Sequence, residues 1–116
     1  MTDKLYIAKA IQQQIIAGRT ADNKSGHLAL DCWGAHQFVG QAENKNDLGN
    51  VTFNVSGLKF KGTVKVRLMF NDEYRVEFWK IRKASVHLEK AYDGVYCEDL
   101  TQFIDNYVEN TEVEAA

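Results

Sequence analysis

The sequence predicts an α+β fold: an antiparallel β-meander of five or six strands, with an N-terminal and a C-terminal helix packed on the sheet. Three observations carry this. Residues 64–92 hold three runs in which apolar and polar side chains alternate, separated by short polar turns. Leu100, Phe103, Ile104, Tyr107 and Val108 recur at the spacing of one helix face, as do Ile7, Ala8, Ile11 and Ile15. A chain of 116 residues with 45% apolar side chains, among them six Phe, five Tyr and two Trp, buries one ordinary core. One domain is therefore expected over residues 1–110, followed by an acidic tail, 111–116, that frays.

Taken in order, residues 4–17 form the first helix, with Asp3 placed to cap it and Gly18 to end it. Residues 19–26 are polar and lack periodicity, so a mobile loop is expected. The run His27 to Gly40 is apolar with small residues in its middle and reads as a strand that bends or breaks at Gly34. A second polar loop spans Gln41 to Asn50. Val51, Phe53 and Val55 then alternate with Thr52 and Asn54 as a strand.

Gly57 to Gly62 is a short strand or a turn. Beyond it Val64, Val66, Leu68 and Phe70 share one side, opposite Lys65, Arg67 and Met69. The chain reverses at Asn71-Asp72, and Tyr74, Val76 and Phe78 alternate with Arg75, Glu77 and Trp79. A third run places Val86, Leu88 and Tyr92 together, opposite Ser85, His87 and Glu89. Glu98-Asp99 suit the start of the last helix, where carboxylates oppose the dipole. The chain contains no proline, so its turns are expected to use Gly, Asn and Asp.

Net charge is −2 but unevenly placed. Residues 59–92 hold Lys59, Lys61, Lys65, Arg67, Arg75, Lys80, Arg82, Lys83 and Lys90 against Asp72, Glu73, Glu77 and Glu89, whereas residues 93–116 hold carboxylates and no cation. No apolar run approaches the roughly 18 residues that span a bilayer, and Met1-Thr2-Asp3-Lys4 is too polar for a secretory signal. A cytoplasmic protein without membrane association is expected, with Cys32 and Cys97 as free thiols.

Four stretches resemble a group of small proteins encoded by bacteriophages and prophages whose biochemical role is unassigned. They are Trp33-Gly34-Ala35-His36-Gln37-Phe38-Val39; Gly57-Leu58-Lys59-Phe60; Val64 to Leu68 followed by Tyr74-Arg75-Val76-Glu77-Phe78; and Tyr92-Asp93-Gly94-Val95-Tyr96, then Asp99-Leu100 and Phe103. Trp33 stands where that pattern has Thr, and His36-Gln37 where it has Lys-Asn. The resemblance spans roughly residues 33–108. It implies a viral or mobile-element origin, with expression in the cytoplasm of a bacterial host.

Reaction chemistry finds little footing. Cys32-x-x-x-His36, with His87 and Cys97 remote in sequence, lacks the tight Cys pairs of structural zinc sites. No residue near either thiol marks it as an activated nucleophile, and no Gly-rich phosphate loop occurs. The expectation is no catalytic residue, no metal and no cofactor.

Binding is the better reading. Met69, Trp79 and Ile81 lie opposite the inward residues of the meander, so helices on one face only would leave them as a site for a host protein or a second copy. The alternative is a nucleic-acid module in which Lys65, Arg67, Arg75, Lys80, Arg82 and Lys83 share the outer face with Trp79. A protein partner, with a host defence factor conceivable, ranks first, nucleic acid second and an enzyme third.

Overall fold

The computed structural model describes residues 5–109, apart from the side chains of Ile81 and Arg82. Asp3 and the tail at 111–116 lie outside the described residues. Helix α1 (Tyr6–Ala17) and helix α2 (Gly26–Cys32) precede five strands, β1 (His36–Gln41), β2 (Gly49–Ser56), β3 (Lys61–Leu68), β4 (Tyr74–Arg82) and β5 (Ser85–Val95). A 3-10 turn at Cys97–Asp99 then leads into α3 (Leu100–Val108). The strands pair antiparallel in sequence order, a five-stranded meander.

All three helices lie on one side of the sheet. Ala8, Ile11 and Ile15 of α1, Ala29 of α2, and Leu100, Ile104 and Val108 of α3 join Val51, Phe53, Val55, Val64, Val66, Val76 and Phe78 in one buried cluster. Phe78 stacks on Tyr107 of α3 with ring centroids 3.8 Å apart, and Phe60 meets both rings edge-on. Helix α1 comes close to the sheet because Gly40 has no side chain; a Cβ there would sit 2.7 Å from that of Ala8. The turn between β2 and β3 completes α3, since the Lys59 and Phe60 N–H groups both donate to the Val108 carbonyl. Such carbonyls at a helix end otherwise lack partners.

Three expectations of local structure need correction here. The run from His27 begins as a helix, not a strand. Ser25 caps it by accepting the Leu28 N–H. Gly34, at φ +63°, ends it with Gly34 N–H to Asp31 and Ala35 N–H to Leu30, the paired bonds of a Schellman motif. The segment after α1 is a loop, as expected, closed by a bridge between Arg19 and Ser25 with Thr20 buried.

Phe70 is exposed, because β3 ends at Leu68 and the chain turns through Asp72 at φ +67°. Finally, the β4–β5 turn uses Lys83 and Ala84, both at positive φ, where Gly, Asn or Asp was expected. No helix of the described residues is long and apolar enough to cross a membrane.

Candidate binding face

The side of the sheet away from the helices carries no helix or strand among the described residues; only the β1–β2 loop folds over one end of it, at Asn50 and Arg67. Side chains alternate along a strand and directly paired residues share a face, so the register defines this surface. It presents Asn50, Thr52 and Asn54 of β2, Thr63, Lys65 and Arg67 of β3, and Arg75, Glu77 and Trp79 of β4.

A chain of ion pairs crosses its middle. Asp47, fully buried in the β1–β2 loop, accepts from Asn44, from the Gly49 N–H and from Arg67, the last at 2.8 Å. Arg67 Nε lies 3.1 Å from Glu77, Arg75 Nε donates to the same carboxylate at 2.8 Å, and Arg75 also holds Asp93 at 3.0 Å. The remaining Glu77 oxygen accepts the Trp79 indole N–H at 3.0 Å. Glu77 is thus a buried carboxylate with two guanidiniums and an indole around it. Glu77, then Asp93, pushes the Arg75 guanidinium above its ordinary value. The pairing also sets Arg67 beside Arg75, an arrangement that the shared carboxylate makes tolerable.

Beside this network the surface turns apolar. Phe78 pairs with Lys90, yet Trp79 pairs with Leu88, so Glu89 is an extra residue in β5. This bulge reverses the alternation of the strand. Leu88 and, two pairs on, Val86 therefore share the outer face with partly exposed Trp79, whereas Tyr92 shares the helix side with Val76. The expectation that Val86, Leu88 and Tyr92 stand together is overturned by that one residue. Val86 is 58% and Leu88 43% exposed.

The residues singled out in the sequence separate accordingly. Trp79 is on the outer face, paired with Thr63, whereas Met69 lies just beyond the end of β3, six residues on from Thr63 and about 20 Å away at ~3.4 Å per residue. The side chain of Ile81 lies outside the described residues, and Val86 and Leu88 were missed.

Of the cations, Lys65, Arg67 and Arg75 share the outer face. Lys80 does not; it points to the helix side, 3.6 Å from Glu89 and over the Phe60 ring. Lys83 sits in the hairpin turn, and the Arg82 side chain lies outside the described residues. A hollow of about 490 Å³, lined by Leu5, Gln41, Asn44, Lys45, Lys65 and Arg67 among others, opens at the Asp47 end.

Cys32 and Cys97 are free, and the described residues contain no group of three His, Cys, Asp or Glu side chains arranged to hold a metal. Comparison of the chain with protein-family models, with curated proteins and with solved structures finds no match in any of the three.

Proposed function

We propose that the protein acts by binding another protein, non-catalytically, through the outer sheet face at the β4–β5 end. One observation carries this reading: the helices pack on a single side, leaving Trp79, Val86 and Leu88 together on the open one. An aromatic flanked by aliphatic side chains, rimmed by charges that already satisfy each other, suits the apolar centre and polar border of a protein interface. Arg67 and Arg75 are held by Asp47, Glu77 and Asp93, and Lys80 is on the other side, which favours a protein over a nucleic acid. The resemblance to phage and prophage proteins adds the setting, a host factor inside a bacterial cell, such as a component of a defence system.

The test is affinity capture from a bacterial lysate with three baits: the wild type, Leu88→Lys, and Leu58→Lys as a control at another exposed leucine. A stoichiometric partner retained by Leu58→Lys and lost by Leu88→Lys is expected. Equal retention by both variants rejects this face.

A further inference from the structure

Strand β5 is the last of the sheet and has no neighbour beyond it among the described residues. Exposed edge strands are templates for another strand, and bulges or lysines usually discourage this. Here the bulge has a second geometric effect. Glu89 accepts from Tyr107 and pairs with Lys80, both on the helix side, and Lys90 pairs with Phe78 on that same side. Two successive side chains thus share one face.

Outward from the Glu89–Lys90 peptide, the faces then mirror each other. Leu88 and Ala91 are both outer, His87 and Tyr92 both on the helix side, and Val86 and Asp93 both outer. A regular alternating strand has no mirror at a peptide bond, because its neighbours there face opposite ways.

Antiparallel pairing sets residues of the same face opposite one another. A second β5 related by a two-fold axis through this peptide therefore matches faces at every pair. Leu88 meets Ala91 of the partner subunit, and His87 meets Tyr92 of the partner subunit. Sliding by one residue sets Leu88 against Lys90 of the partner subunit and mixes the faces. The matched register also sets Glu89 opposite Lys90 of the partner subunit, twice by symmetry. Lys90 is exposed and has no ion pair among the described residues, so it is available for that contact.

We propose that the protein forms a symmetric homodimer by antiparallel β5–β5 addition, joining two five-stranded sheets into one. Self-complementarity of face and charge argues for a second copy as the occupant of this edge. The proposal is independent of the partner reading above, and a Lys90 variant leaves Trp79, Val86 and Leu88 in place, so self-association and partner capture are read separately.

Sedimentation equilibrium of the wild type, Glu89→Lys, Lys90→Glu and a one-to-one mixture of the two variants tests it, with near-ultraviolet circular dichroism reporting the fold. The wild type is expected to be a dimer. Each variant alone sets like charges together and should dimerise at least about tenfold more weakly. In the mixture one chain carries two adjacent lysines and the other two adjacent glutamates, so both contacts regain opposite charges and a heterodimer should be recovered. Lys90→Glu breaks no described internal ion pair, so it remains informative even if Glu89→Lys, which loses Tyr107 and Lys80, fails to fold. A monomeric wild type, or a Lys90→Glu variant that dimerises as tightly as the wild type, overturns the proposal. A mixture of folded variants that stays monomeric overturns the register.

Discussion

The indole N–H of Trp33 donates to the Asp105 carboxylate at 2.9 Å across 72 residues of sequence, tying the end of α2 to the middle of α3 inside the core. Trp33 is fully buried and lies nearly parallel to Phe53, so the ring packs on the sheet while its one polar atom reaches α3. Burial of a carboxylate is tolerable when its oxygens find donors.

Trp33→Phe keeps an aromatic ring in place and removes the donor. Asp105, itself buried, then lacks its indole partner, and a loss of about 1–3 kcal/mol is expected. Urea denaturation measures it. An unchanged midpoint would show that Asp105 finds another donor.

Glu77→Gln tests the ion-pair chain on the outer face. The side chain is 5% exposed and neutralises both Arg67 and Arg75, so its charge holds two cations that the register places side by side. A loss of about 3 kcal/mol is expected, since removing one member of a buried ion pair strands the others. The variant should also retain single-stranded DNA at low salt better than the wild type does. DNA binding that is equally strong in both would mean that the arginines are not masked.

Ala84→Gly should stabilise the protein by about 1 kcal/mol, because Ala84 sits at φ +67°, a region costly for any residue with a Cβ. Lys83→Asn, at φ +49°, should add to it. Thermal unfolding of the single and double variants checks both, and lower melting temperatures would contradict the turn geometry.

Burial, and then the nearby Glu89 carboxylate, pushes the Tyr107 phenol up to about 12. A tyrosine in the unfolded chain ionises near 10, so the folded state holds this proton more tightly. The resulting stability is fully present below pH ~10 and lost as pH rises towards 12. Tyr107→Phe should flatten that decline, leaving the smaller share of Tyr74, whose phenol burial also raises. An equally steep decline in the variant, followed by denaturant titration across this range, would exclude Tyr107 as its source.

The meander was legible because β2, β3 and β4 each bury one face and wet the other, which writes a period of two into the sequence. The outer helices were legible for the same reason at a period near four. Helix α2 was not, since Leu28 and Leu30 flank Ala29 in a pattern that a strand also satisfies; the signals that distinguish it are Ser25 and Gly34 at its two ends. The ion-pair chain was half legible. Glu77 between two arginines suggests cross-strand pairing, but Asp47 arrives from a loop 20 residues before Arg67. The apolar site depended on the one residue that alternation cannot show, the bulge at Glu89, without which Leu88 would face the helices.

Helices on one side only divide the sheet into two regimes of tolerance to change. Towards the helices, substitution is filtered by volume, because Phe78, Tyr107 and their neighbours are packed ring against ring. On the open side it is filtered by sign as well, because Arg67, Glu77 and Arg75 neutralise one another. Substitutions on the outward surface are therefore constrained to keep these charges balanced, whereas those towards the helices are constrained by fit.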